Sequence, residues 1–163
     1  SRLLKTCDLV ITTGGVSVGA RDLFHAAAQA ARLKTIFLKV SQKPGKPMVF
    51  AKRGTKLWFG LPGNPVASLV CFYLYVKPCL LGMMGHPHLD PEWFGAKTTE
   101  KFLPNPRRTD FLRGHLENER VTFAGKQGSH CLGSFADANV LVKILPSSRS
   151  VKIGDTILCL RLP

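Results

Sequence analysis

The stretch Asp8-Leu-Val-Ile-Thr-Thr-Gly-Gly-Val-Ser-Val-Gly-Ala-Arg-Asp22 constrains what this chain folds into more than any other. Leu9, Val10 and Ile11 form a short apolar run bounded by turn residues, the pattern of a buried strand. Thr12, Thr13, Gly14 and Gly15 follow, then Ser17 and Gly19, and Asp22 opens an alanine-rich helical run. Strand, glycine loop and helix start in that order aim main-chain N–H groups at an anion. Glycine lets the backbone approach closely, and the helix N-terminus adds partial positive charge. The same residues also suit a tight strand-to-helix turn in which glycine serves geometry alone, because helix starts attract Gly, Ser and Asp.

Among named phosphate and catalytic loops, the dinucleotide fingerprint fails on the order of its glycines, and the P-loop fails for want of a lysine. Gly15-Val16-Ser17-Val18-Gly19 does satisfy the G-x-S-x-G nucleophile elbow. A serine hydrolase built on Ser17, with Asp110 and His115 or His130 as partners, therefore stays open.

A length of 163 residues allows one domain or two small ones, and a hydrophobic fraction of 45% reads as a soluble globular chain. No apolar run is expected to reach the length that spans a bilayer, and the N-terminus has no signal-peptide pattern. Cys7, Cys71, Cys79, Cys131 and Cys159 are scattered without a C-x-x-C pair, so neither a disulfide framework nor a zinc site is indicated; a reducing, cytoplasmic setting is expected. The net charge of +13 is spread in ones and twos with no aromatic-interleaved basic stripe, which argues against nucleic acid; most of these charges read as a solvated face, and a phosphorylated or otherwise anionic ligand would gain from the remainder.

Asp22 to Leu33 reads as a helix with Asp22 as N-cap and Leu23, Ala26, Ala27 and Ala30 on its packed face. Thr35 to Val40 reads as a second strand. The loop Ser41 to Pro47 leaves its C-terminal end, where open α/β sheets hold ligands, and Lys39, Lys43 and Lys46 cluster around it. Met48 to Ala51 and Leu57 to Leu61 suit a hairpin whose loop, Arg53-Gly54-Thr55, is longer than the tightest types. Asn64 and Pro65 then suit the N-cap and first position of a deeply packed helix, Val66 to about Leu81, with free N–H groups from Val66 onward. Gly82 to Pro91 is a linker in which His86 and His88 lack a third ligand for a metal. Beyond it the pattern is of short strands: Asp110 to Glu117, Arg120 to Phe123, Val140 to Leu145 and Thr156 to Leu162, with turns at Asn118-Glu119 and Lys152 to Asp155.

Three blocks carry a resemblance. Thr12 to Gly19 with Asp22 resembles the signature loop of the molybdopterin-binding domain, and Lys43-Pro44-Gly45-Lys46-Pro47 and Gly60-Leu61-Pro62-Gly63-Asn64-Pro65-Val66 resemble two further blocks of the molybdopterin molybdenumtransferase family (MoeA and the gephyrin E domain). The resemblance implies an α/β fold: residues 1–81 as the C-terminal part of a parallel-sheet molybdopterin-binding domain, 82–91 as linker, and 92–163 as a small β-barrel-like domain. It implies insertion of molybdate into adenylylated molybdopterin with release of AMP. By position in the motifs, Asp22, Lys39 and Lys43 would be catalytic, with Asp22 near the metal through Mg2+. Thr13, Gly14, Gly15, Ser17, Gly19, Lys46, Pro62, Gly63, Asn64, Pro65 and Ser129 would hold substrate. A homodimer is implied for the full-length protein, and neither nucleic acid nor membrane as a partner. The family carries a further N-terminal half with carboxylates of its own, so this chain reads as a C-terminal piece that lacks independent activity. A non-catalytic, gephyrin-like scaffold module is the other class that the resemblance leaves open.

Overall fold

The computed structural model of the chain describes residues 3–15, 21–125, 127–128, 132–147 and 149–163, with the backbone alone for Arg21, Asp22, Leu23 and His25. The expectations for Ser17, Gly19, Ser129 and His130, and for the side chain of Asp22, lie outside the described residues.

The first half forms a sheet with helices on both faces. A single turn, α1 (Leu3–Thr6), leads into β1 (Leu9–Thr13), and α2 (Arg21–Ala30) follows the glycine loop. Next come β2 (Lys34–Phe37), the two-residue β3 (Gln42–Lys43), β4 (Val49–Arg53) and β5 (Lys56–Leu61). The sheet order is β1-β5-β4-β2. The expected parallel character rests on one pair, β1 with β5, in register from Leu9↔Leu57 to Thr13↔Leu61; β5–β4 and β4–β2 are antiparallel. β1 is only half-buried rather than fully buried, because in the described sheet it has β5 alone as neighbour and Ile11 is exposed. The β4–β5 hairpin is tighter than expected: Arg53 pairs with Lys56, and Gly54 at φ +57° supplies the left-handed corner.

Strand alternation divides the core between the two faces. Val49, Ala51, Val10 and Trp58 meet Phe24, Ala28 and Ala31 of the α2 segment, with the Phe24 and Trp58 rings 4.4 Å apart. Ala26, Ala27 and Ala30, expected on the packed face, are exposed. The helix starts at Arg21, so Asp22 lies in its first turn rather than at the cap. The reason is the size of Phe24: burying its ring is worth roughly 2 kcal/mol, more than any alanine stripe contributes, and it draws 24, 28 and 31 inward as i, i+4, i+7.

On the other face lies a longer helix with a wide turn inside it. α3 (Pro65–Cys71) passes into a π-turn at Phe72–Val76 and then α4 (Lys77–Met83). Pro78 accounts for the widening, since it has no N–H to offer Leu74 and its ring crowds that carbonyl. The Lys77 N–H reaches instead to Phe72 O. The whole helix, Pro65–Met83, is 19 residues with mean hydropathy 1.7, long and apolar enough to cross a membrane, which corrects the expectation that no run reaches that length. It is also less uniformly packed than expected. Val66, Ala67, Val70, Cys71 and Val76 are buried, whereas α4 buries no residue fully and Cys79 is only half-buried.

The second half is a closed barrel of β6 (Phe94–Thr98), β7 (Thr109–Glu117), β8 (Arg120–Phe123), β9 (Val140–Ile144) and β10 (Thr156–Arg161). The order β7-β8-β6-β10-β9 closes because β9 also pairs with β7, from Asp110↔Ile144 to Gly114↔Val140. Leu112, Val121, Val140, Val142, Ile157 and Cys159 fill the interior. The β7–β8 turn uses Asn118 and Glu119, both at positive φ, as a type I′ hairpin requires. β6 was not legible as a strand, because Gly95 and Lys97 dilute its apolar signal. The barrel packs on the far side of α3, where Val70 and Leu74 meet Phe111, Phe135 and Leu141.

The four described cysteines are free thiols. Burial pushes the Cys71 thiol up to about 12 and Cys159 up to about 11; burial first, then the neighbouring Cys71, pushes the Tyr75 phenol up to about 12. Each group holds its proton longer folded than unfolded, so the stability they contribute is complete below about pH 9 and is lost as pH rises from about 9 to about 12. Chemical denaturation at pH 8 and at pH 10 is expected to show the lower midpoint at pH 10. Iodoacetamide at pH 8 is expected to spare Cys71 and Cys159 until the chain unfolds.

Candidate functional site

Because β5 runs parallel to β1, and β4 reverses between β5 and β2, the chain leaves β1, β5 and β2 at the same edge of the sheet. All three loops picked out by their sequence start there. The first two touch. Thr12 and Thr13 stand opposite Gly60 and Leu61, the Gly14 N–H donates to Leu61 O at 3.0 Å, and a Cβ on Gly63 would sit 3.3 Å from Gly14 Cα. Gly14 and Gly15 adopt φ +78° and +68°, so glycine is favoured at both for the conformation, whereas at Gly63 it is the close approach that favours glycine.

The second turn is braced from within. The Asn64 side chain accepts from the Ala67 N–H at 3.1 Å, Pro65 takes the first helical position, and the Ser68 hydroxyl donates to Pro62 O. Pro62 is buried while Gly63 and Pro65 face outward. The cap consumes the Ala67 N–H, one of the donors expected to be free for an anion.

The third loop carries the lysines and lies against the same helix. The Val40 N–H donates to Lys46 O at 3.0 Å, closing the loop on itself. Pro44 and Gly45 are buried, whereas Lys39, Lys43 and Lys46 are exposed. Gly45, at φ +97°, is pressed so closely on the helix that an added Cβ would stand 2.5 Å from Cys71 Sγ and 3.6 Å from Ala67 O. The loop is therefore seated three residues from Asn64, beside the second glycine turn.

It also belongs to the barrel. β3 pairs in parallel with the start of β7, Gln42↔Thr109 and Lys43↔Asp110, and Ser41 Oγ donates to Arg107 O at 2.8 Å. Lys43 and Pro44 line a cavity of about 430 Å³ with Arg108, Asp110, Arg113 and Gln127. Arg113 is 1% exposed. Its Nε donates to Ser134 Oγ at 2.9 Å and its Nη2 to Gly128 O at 3.3 Å. Gln127 exchanges bonds with the Arg113 backbone at 3.0 and 2.7 Å. Arg113 thus organises the loop that leads to Ser129. Sequence reasoning passed over Arg113 and Gln127. The available signal was an arginine at the centre of an apolar strand, Asp110-Phe-Leu-Arg-Gly.

The arrangement presents main-chain amides at two touching glycine turns, and a loop bearing three exposed lysines leaves the same end of the sheet, which is suited to holding an anion. It does not assemble a described hydrolase triad. Asp110 is buried and accepts from Asn105 N and Arg108 Nε, each at 3.2 Å, while His115, five residues along the same strand, points from the opposite face. Among the described residues no three His, Cys, Asp or Glu side chains converge on a metal site. His86 Nδ1 is engaged by the backbone of His88.

Residues 1–82 match the family described as a probable molybdopterin binding domain. The chain belongs to this molybdopterin-binding family. Residues 95–162 match the MoeA C-terminal region, domain IV. The chain is 37% identical over 156 residues to a molybdopterin molybdenumtransferase of Haemophilus influenzae, covering 92% of this chain and 38% of that one. It is 34% identical over 154 residues to a Staphylococcus aureus protein of the same name, covering 92% and 37%. The molybdopterin biosynthesis moeA protein of Pyrococcus horikosii superposes with a TM-score of 0.79 at 27% identity, covering 98% of this chain and 38% of that one. A molybdenum cofactor biosynthesis protein of Pyrococcus furiosus shares the fold at a TM-score of 0.75 and 19% identity, covering 99% and 51%. The chain thus spans well under half the length of the curated relatives it matches.

Proposed function

We propose that the protein carrying this chain is a molybdopterin molybdenumtransferase of molybdenum cofactor biosynthesis. It inserts molybdate into adenylylated molybdopterin and releases AMP, with residues 1–81 as part of the pterin-binding domain, 82–91 as linker and 92–163 as the barrel domain. The observation that carries this reading is the contact of Gly14 with Gly63 on the edge where the lysine loop also emerges. Both substrates and AMP are anions, and the reading needs those separate sequence blocks to converge.

In this scheme Thr13, Gly14, Gly15, Gly63 and Asn64, between Pro62 and Pro65, form the cradle, with Ser17 and Gly19 continuing the first loop. Lys39, Lys43 and Lys46 neutralise phosphate and molybdate charge, and Ser129 reaches in from the barrel. Asp22 is the carboxylate that would hold magnesium, a hard cation suited to oxygen ligands. The free thiols agree with a cytoplasmic setting. The homodimer belongs to the full-length protein.

The test is AMP release and calorimetry with adenylylated molybdopterin and molybdate, using the full-length protein. Asp22→Ala is expected to abolish AMP release with an unchanged melting temperature. Lys43→Ala is expected to weaken pterin-nucleotide binding by about tenfold to a hundredfold, the range for a lost charge-assisted contact. Absence of pterin-nucleotide uptake by the wild type, or full turnover by Asp22→Ala, overturns the reading.

A further inference from the structure

We propose that Gln42 and Tyr75 are a positioning pair that sets the lysine loop in register with the glycine turns, Gln42 being the residue that ties this loop to both halves of the molecule. The lysines matter here through the anion-binding role proposed above; the geometric claim stands apart from it.

Gln42 is 3% exposed, although it lies in a loop between exposed lysines. Its backbone belongs to the barrel, opposite Thr109 in the β3–β7 pairing, with Thr109 N–H donating to Ser41 O at 3.1 Å. Its side chain belongs to the α/β half. Nε2 donates to Pro44 O at 2.9 Å and approaches Cys71 Sγ at 3.8 Å, and Oε1 accepts the hydroxyl of Tyr75. A buried amide without such partners carries a desolvation penalty, so this network holds one side-chain direction against the alternatives.

Tyr75 reaches Gln42 from the π-turn that Pro78 imposes, where the widened backbone redirects the side chain relative to a regular helix. Its phenol, pushed up to about 12, remains a donor throughout the physiological range. The bond to Pro44 O acts midway between Lys43 and Gly45-Lys46, so the seat of Pro44 and Gly45 determines where both ammonium groups emerge. Neither Gln42 nor Tyr75 needs to touch substrate. Their effect passes through the backbone of the lysine loop.

Three variants in the full-length protein test the pair: Tyr75→Phe, Gln42→Met and the two combined. Tyr75→Phe removes one hydroxyl and strands a buried acceptor. Amide exchange across residues 38–47 is expected to rise about tenfold while β7 to β9 stay protected, as a local opening cheaper by about 1.4 kcal/mol requires. KM for adenylylated molybdopterin is expected to rise by a similar factor with kcat held within about twofold. The combined variant still leaves Pro44 O without its donor and is expected to match Gln42→Met in exchange and KM rather than to add the two single effects, because Gln42 and Tyr75 act through one network. Unchanged exchange at 38–47 in both single variants overturns the proposal. So does a rise shared equally by the barrel, which marks a merely structural pair, or a fall in kcat with KM unmoved. If the wild type takes up no pterin nucleotide, the functional reading fails while the exchange result still decides the positioning claim.

Discussion

Gly45→Ala is expected to cost about 2–5 kcal/mol, the sum of a strained left-handed backbone and an overpacked contact. The backbone stands at φ +97°, where a side chain is strained whatever the space. The new Cβ would also lie 2.5 Å from Cys71 Sγ and 2.7 Å from Gln42 Nε2. Neither atom yields easily: Cys71 is fully buried in the helix, and Gln42 is held by Pro44 O and Tyr75. Gly54→Ala is the control. It has a comparable left-handed φ of +57° with nothing within 4 Å, and about 1 kcal/mol is expected there. Urea midpoints with unchanged m-values measure the difference. Equal losses at the two positions would show that crowding against the helix contributes nothing. Because Gly45 seats the lysines, its loss is also expected to weaken pterin-nucleotide binding, with Gly54→Ala leaving that affinity intact.

Arg113→Met is expected to lower stability by about 2–4 kcal/mol, since it takes the guanidinium away from the buried Ser134 hydroxyl and the half-buried Gly128 carbonyl. Its functional effect is expected to be larger than stability alone explains. Gln127 still bonds the Arg113 backbone, so the start of the 125–130 loop is retained, while Gly128, next to Ser129, loses its tether. A fall of about a hundredfold in kcat/KM for AMP release, measured well below the melting temperature, is the expected result, equivalent to about 2.7 kcal/mol of transition-state binding. Arg113→Lys is not expected to rescue it, because one ammonium group does not span Ser134 and Gly128 in the way a planar fork does. Activity restored by lysine would reduce Arg113 to a simple positive charge.

The strongest local signals in the chain held. The Asn118-Glu119 and Gly54 corners, the Asn64 cap with Pro65 behind it, and the short strand runs of β7 to β10 all lie where residue chemistry within a few positions decides the conformation. The signals that misled were also local. The alanines of α2 set a false face because Phe24 met Trp58, a residue far along the chain. Nothing local marks Gln42 within the loop Ser41 to Pro47, because its contacts are with Thr109, Cys71 and Tyr75, all remote in the chain.

By itself, then, the order of residues determined the glycine turns, the capped helix, four of the five barrel strands and the family to which they point. Each depends on short-range sterics or on a pattern repeated within one element. Only the tertiary structure decided that the two glycine turns touch, that the lysine loop serves both halves, and that an arginine is buried on the outer face of the barrel, against Gly128 and Ser134. Those facts arise from pairings between residues remote in the chain, such as Gly14 with Gly63 and Lys43 with Asp110. No periodicity encodes such pairings; sheet register and side-chain packing create them.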